Sequence, residues 1–476
     1  LGLAGFGLAG CGSSSSSSGG ALATALSYLP ANSPLVLRVT TDPHSGAVRS
    51  AQSLVAKIPL ARLGEAALQS RLQQMGINYD ADVRPLLGNP LVFGASTQTV
   101  SRATGREFVF AWVVKDAGVF RADLKKSGAR STGSRDGATL YPFGSGTLAL
   151  DGSTVVASPD SDALKAALDR HAHGTGITAA DWGRAVKGLP GDALIDVFGS
   201  LGQALSNASA ANARKVPWIA AVRGYAVAIS ATSTGLALQY RVDTSGGALT
   251  SSQLPFAPGS AAPSLAGSMP IVVALHDPAH AIGFVEGVEQ ATNPARYSAF
   301  QARQAALRRR SGVDINSLAR LLTGDLIVDS DLHATMARAT VSNAGAARHA
   351  LSKLATAPPR LLFTNATTVK RASGGFYELL RPGGSTVTAG VVGNQLVVGS
   401  ATPAQLRAFA AAPTSAAAGA KGPVAFRVAL ADLLRLALHR ASSPTAQVIL
   451  GLLGDVTGWI ADSPAALTGN ATVAVK

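Results

Sequence analysis

Two clusters in the chain have residue types suited to metal or acid–base chemistry. His276-Asp277-Pro278-Ala279-His280 places two histidines four residues apart, a spacing that puts both imidazoles on one helix face. Asp329, Asp331 and His333 alternate, so a strand over 326–333 would carry all three on one side, where they could hold a hard cation or exchange a proton. Each has a plainer reading. Asp277-Pro278 is a helix start, with the aspartate as cap and the proline at the first helical position. The alternating trio also suits the polar end of a hairpin. Arg303, Arg308, Arg309 and Arg310 close a helix that begins after Pro294. There they complement the carbonyl end of the helix dipole, or they contact an anionic surface. The chain contains no G-x-S-x-G elbow, no phosphate-binding Walker loop and no H-E-x-x-H. The expectation is therefore a protein that is not an enzyme, with no cofactor and no resident metal.

The sharpest chemical signal is Leu8-Ala9-Gly10-Cys11, which contains the single cysteine of the 476-residue chain. Residues 1–10 are apolar and small, and a serine run follows Gly12. The pattern resembles the bacterial lipobox. On that resemblance residues 1–10 are part of a signal peptide and Cys11 carries a thioether-linked lipid. Residues 11–29 are then a Gly/Ser tether, and the protein sits on the outer face of the bacterial cytoplasmic membrane. A nine-residue Gly/Ser stretch reaches roughly 15–18 Å as a random coil. Gly5-Phe6-Gly7-Leu8-Ala9-Gly10 also spells G-x-G-x-x-G, but it lacks the strand before and the helix after that a dinucleotide site needs.

Composition narrows the partners. Apolar residues make up 47%, aromatic residues 5% and charged residues 14%, with a net charge of +14. The positive residues are scattered and lack interleaved aromatics, so nucleic acid is not expected. The charge reflects either an Ala-, Gly- and Arg-rich composition habit or attraction to anionic lipid or wall polymer. A lone cysteine allows no internal disulfide. Val424–Leu438 is interrupted by Arg427, Asp432 and Arg435, and Val448–Leu453 is too short to span a bilayer.

The elements that position these residues occur twice. Strand 35–40, Asp42-Pro43 with Asp42 as the helix cap, and a helical pattern from Ser45 to Lys57 recur as strand 271–275, Asp277-Pro278 and a helix through Val288. Gly76-Ile77-Asn78 recurs as Gly312-Val313-Asp314, and Asp116-Ala117-Gly118 as Asn343-Ala344-Gly345. The hairpin turn Asp151-Gly152, followed by Val155–Ser158, recurs as Gly393-Asn394, followed by Val397–Ser400. Strands at 193–198, 225–230 and 236–242 recur at 424–428, 458–461 and 471–475. The order predicts an α+β fold of two tandem copies, residues 30–245 and 265–476, joined by a linker at 246–264. Each copy is a mixed or mainly antiparallel sheet with helices packed on one face.

Leu29-Pro30-Ala31-Asn32-Ser33-Pro34, the segment from Trp182 to Asp196 and the hairpin–helix from Val155 to Leu168 resemble the uncharacterised bacterial family catalogued as domain of unknown function 3352. The resemblance implies an extracytoplasmic, internally duplicated protein, and it brings no activity or site residues. The expected function is a membrane-anchored binding or scaffold lipoprotein, with an apolar or lipid ligand between sheet and helices. The alternatives are a basic adhesin for anionic lipid or wall polymer, and an exported hydrolase with dispersed catalytic residues. Protein partners are not predicted.

Overall fold

The computed structural model describes residues 16–57, 70, 71, 73, 74, 76–95, 108–202, 211–245, 249–331, 333–358, 361, 368–381, 386–437 and 451–475. Leu8, Ala9, Gly10 and Cys11 lie outside them. The chain forms two compact units: described residues up to 204 with Tyr225–Ser233, and residues of 205–224 with Thr234–Lys476.

The first unit starts with α1 (Ser16–Leu26), β1 (Leu35–Val39), α2 (Gly46–Ala56), β2 (Leu91–Ala95), β3 (Phe108–Val113) and α3 (Ala117–Lys126). It continues with β4 (Gly133–Arg135), β5 (Ala138–Phe143), β6 (Gly146–Asp151), β7 (Thr154–Ser158), α4 (Ser161–His173), α5 (Ala179–Ala185) and β8 (Ile195–Ser200), and takes β9 (Val222–Thr232) from Tyr225 on. Its sheet runs β4-β5-β6-β7-β3-β2-β1-β8, antiparallel throughout. Alternation along the strands makes two faces. Val36, Val92, Val109, Ala111, Ala149 and Val156 face the main core beneath α1 and α4, which contribute Leu26, Leu164 and Leu168. Burying each such Leu contributes about 1.5–3 kcal/mol.

The second unit contains α6 (Pro217–Ala221), β10 (Gly235–Thr244), β11 (Ser264–Leu265), β12 (Ile271–His276), α7 (Pro278–Thr292), α8 (Pro294–Ser311) and α9 (Ile315–Ala319). After these come β13 (Leu322–Ser330), β14 (Thr335–Val341), α10 (Ala344–Leu354), β15 (Thr368–Arg371), β16 (Tyr377–Leu380), β17 (Thr386–Val392) and β18 (Gln395–Gly399). The chain ends with α11 (Pro403–Ala411), β19 (Ser415–Ala416), β20 (Val424–Ala429), α12 (Leu430–Ala437), β21 (Leu453–Asp462) and β22 (Ala466–Val475). The sheet order β15-β16-β17-β18-β14-β13-β12-β20-β21-β22-β10 repeats that of the first unit and extends it.

The duplication extends to single hydrogen bonds. Asp116 and Asn343 cap α3 and α10. Gly76 and Gly312 both have φ +73°, while Gly152 and Gly393, at +58° and +59°, turn equivalent hairpins. Arg121 donates to Gly152 O at 2.8 Å, and Arg348 donates to Gly393 O at 2.9 Å.

Four sequence expectations change. Residues 16–26, expected within the tether, are helical, and Ala25, Leu26, Tyr28 and Leu29 are buried in the core. Of residues 246–264, expected as a linker, the described part from 249 contributes the fully buried Leu254 and a bond from Phe256 N to Asp462, so this part packs within the second unit. The 245/265 boundary shifts too, because β10 pairs with β22 from Gly235 opposite Ala474 to Asp243 opposite Ala466. Asp42 does not cap α2: its carboxylate accepts from His44 N, and Ser45 is the cap. Asp277 does cap α7, in a left-handed conformation.

Candidate functional site

Helices α1 and α4 pack on one face of the first sheet. Among the described residues, α3 and the 79–86 turns lie over part of the other face, and a groove is left there. Phe108, Phe110 and Trp112 of β3 alternate with the core residues Val109 and Ala111 and project to this second face, with Leu148, Val155 and Ala157 beside them. Phe120 and Leu124 of α3 form the opposite wall. The hairpin tip from Pro142 to Gly146 and the pair Ser158-Pro159 complete a cavity of about 800 Å³, within the range that holds small ligands.

Local chemistry fixes this geometry. Asp116 accepts from Gly118 N at 2.9 Å and Val119 N at 3.1 Å, setting the start of α3. Lys126 reaches Asp82 at 2.8 Å and Asp123 at 3.3 Å, tying its end to the 79–86 turns. The Lys126 hydrogen bond holds the Asp82 carboxyl below its ordinary range. Gly146 passes so close to β7 that a Cβ would lie 2.3 Å from Ser158 O. Trp112 Nε1 donates to Asn89 O at 3.1 Å, so the indole presents only carbon to the groove. Among the described residues of the lining, Asp123 is the only charged one.

The second unit is an internal control. Registering β14 on β3 through the two caps places Thr335, Ala337 and Ala339 where the first unit has Phe108, Phe110 and Trp112. Ala347, opposite Phe120, is fully buried, and α10 rests on β17 and β18. No residue of α3 is fully buried. Small side chains let the helix settle on the sheet, whereas large rings hold it off.

The residues weighed as metal candidates are engaged elsewhere. His276 Nδ1 meets Asp325 Oδ1 at 2.8 Å, and His280 Nε2 meets Leu254 O at 3.0 Å, so the two rings serve different neighbours. β13 ends at Ser330, which separates the expected trio. Asp329 is buried and accepts from Ser268 N and Met269 N at 3.2 and 3.0 Å, while Asp331 opens a turn that bonds His333 N and Ala334 N. Burial pushes the Asp329 carboxyl up, and backbone donors at Asp331 hold that carboxyl down. Among the described residues no three His, Cys, Asp or Glu side chains are grouped for a metal. Arg308, Arg309 and Arg310 are exposed in the last turn of α8, and Arg303 is half-buried. At about 100° per residue Arg303 and Arg310 share one side and Arg309 points away, so the four do not form one patch.

A constellation absent from the sequence reading joins Ser27, His171, Asp151 and Tyr28. Ser27 Oγ lies 2.5 Å from His171 Nδ1, and His171 Nε2 lies 3.8 Å from Asp151 Oδ2. Tyr28 stacks on His171 at 4.2 Å and donates to Asp151 at 2.8 Å, and burial is the first cause of its raised phenol pKa. The residue types are those of a nucleophilic triad. However, Ser27 Oγ also lies 2.6 Å from Thr24 O, and the His–Asp separation exceeds a hydrogen bond. With Arg170 bonded to Tyr28 O, the cluster fastens the end of α1 to the end of α4.

The groove itself had a sequence signal. In a chain with 5% aromatic residues, four large rings fall between Phe108 and Phe120, three of them at alternate positions.

No family model matches the chain, and no curated protein matches it. Among solved structures, crystal form III of TP0453 is similar over 47% of this chain and 81% of its own, at 8% identity and TM-score 0.28. Crystal form I of TP0453 is similar over 48% and 81%, at 11% identity and TM-score 0.27. Likeness at this level has no bearing on function.

Proposed function

We propose that the protein is a membrane-tethered binding protein whose first unit carries an apolar chain in the groove between β3, β6, β7 and α3. The tether is the lipid on Cys11, and the cargo is a lipid acyl chain or a comparable hydrocarbon. The observation behind this reading is the aromatic-lined cavity of about 800 Å³, present where the second unit packs helix on sheet. Each CH₂ moved from water into such a site contributes about 0.8 kcal/mol. Ten would supply about 8 kcal/mol before the entropic cost of binding.

The test is titration of the full chain with a fluorescent fatty acid, with mass spectrometry of material extracted from the purified protein. Ala157→Leu places bulk where the second unit has Val398, and it should weaken binding at least about tenfold while the fold is kept. Unchanged affinity in that variant, or a purified protein that is empty and takes up no probe, refutes the carrier. Cys11→Ala should release the chain from the membrane fraction or leave it unprocessed, and membrane retention of a processed variant refutes the anchor.

A further inference from the structure

We infer that the tip of the β5–β6 hairpin docks the mouth of the groove on an anionic bilayer surface, where the groove takes up its chain. This rests on the carrier reading and adds the point of entry. Pro142, Phe143, Gly144, Ser145 and Gly146 form the tip and also part of the cavity wall, so what touches the tip is continuous with the cavity. Phe143 is 61% exposed, more than any other large apolar side chain among the described residues. Gly144, at φ +56°, turns the backbone beside it.

The same end of the groove is basic. The β4–β5 register pairs Gly133 with Leu140, and Thr132 N bonds Leu140 O at 2.9 Å, so the chain running back from β4 brings Ala129 and Arg130 toward Phe143 and Gly144. Ala129 lines the cavity, as do Leu124 and Ser127. Lys125 and Arg130, interleaved with these three, are exposed and lie outside the lining. An aromatic tip flanked by cations matches the two layers of an interface: the ring enters the acyl boundary and the cations meet anionic head groups. Asp123, the one acidic residue among the described residues of the lining, is held by Lys126.

The experiment measures co-sedimentation of the full chain carrying Cys11→Ser with vesicles of phosphatidylcholine and phosphatidylglycerol, alongside fatty-acid titration without vesicles. Lys125→Glu with Arg130→Glu should weaken vesicle binding at least about tenfold, at about fivefold per cation removed from the surface. Fatty-acid affinity should stay unchanged, because neither residue lines the groove. Phe143→Asp should abolish sedimentation, and Phe143→Trp should retain it, with indole emission quenched by brominated lipid. Phosphatidylcholine alone should bind at least about tenfold more weakly. Docking is overturned if the Glu pair or Phe143→Asp binds as the parent does, if neutral vesicles bind equally, or if the tryptophan is not quenched. Ala157→Leu separates the two ideas, since vesicle binding should persist while fatty-acid binding falls. Persistence of both refutes the carrier and leaves docking supported by its own variants.

Discussion

Removing Arg38 should destabilise the first unit by about 3–5 kcal/mol at neutral pH. Arg38 in β1 and Asp196 in β8 face each other across the sheet and form an ion pair at 2.5 Å, with Asp196 almost fully buried. Arg38 also donates to Ala193 O at 3.0 Å and lies over the Trp182 ring. Burial pushes the Asp196 carboxyl above its ordinary value even though Arg38 draws it down. Without Arg38 the carboxylate must stay charged and buried or take up a proton. Protonating a group of ordinary pKa near 3.9 at pH 7 costs about 4 kcal/mol, three pKa units at 1.36 kcal/mol each, and this bounds the part of the loss that comes from the unpaired carboxylate. The second unit has Ala274 opposite Ala425 at these positions, both fully buried. Arg38→Ala with Asp196→Ala should therefore lose only about 2–3 kcal/mol, mostly from lost packing. The assay is urea unfolding followed by fluorescence of each unit, because two units need not unfold as one transition. The sign with pH is definite. In Arg38→Ala the folded state binds the Asp196 proton more tightly than the unfolded state, so the penalty shrinks as pH falls toward the raised pKa. A double variant less stable than both single variants, or a penalty equal at pH 4.5 and 7.5, refutes the reasoning.

Gly146→Ala should block correct folding of the groove hairpin, because its Cβ would lie 2.3 Å from Ser158 O; native-like near-ultraviolet dichroism in that variant would contradict this. Ser27→Ala should cost about 1–2 kcal/mol through loss of a half-buried hydrogen-bonding group, and a serine-directed fluorophosphonate should leave Ser27 unlabelled; covalent labelling would make the cluster a nucleophilic site. Asp462 is buried, with its carboxyl raised chiefly by burial and one oxygen bonded to Phe256 N. A raised carboxyl gives stability that falls as pH rises through the folded pKa. Asp462→Asn should therefore flatten the fall in stability of the second unit as pH rises above the ordinary carboxyl range of about 4, as read by urea midpoints.

The duplicated order was legible because turns and caps depend on local chemistry. Asp116 and Asn343, and the glycines at 152 and 393, have the same role wherever the chain is read. Pairing register is a long-range property and was harder to read. The hairpin strands match as Val155 with Leu396, one residue from the match the sequence suggested, and one residue exchanges the faces of a strand. The groove was missed for the same reason. Alternation shows that Phe108, Phe110 and Trp112 share a face, but only the packed structure shows that, among the described residues, this face is covered in part. The α1 segment was hidden by its composition. Ser16–Gly20 has the residues of a tether, and the packing of Ala25, Leu26 and Leu29 into the core overrides that local preference.

The Arg38–Asp196 pair also bears on folding fidelity. Two tandem copies of one topology can exchange equivalent strands while they fold, and such mispairing is a typical failure of repeated domains. If β1 took the place of β12 beside β20, Arg38 would face Ala425, and if β12 took the place of β1 beside β8, Ala274 would leave Asp196 without a counter-charge. Each exchange buries a lone charge, at about 3–5 kcal/mol. On this argument the pair acts as an address label that distinguishes β1 and β8 from their counterparts β12 and β20.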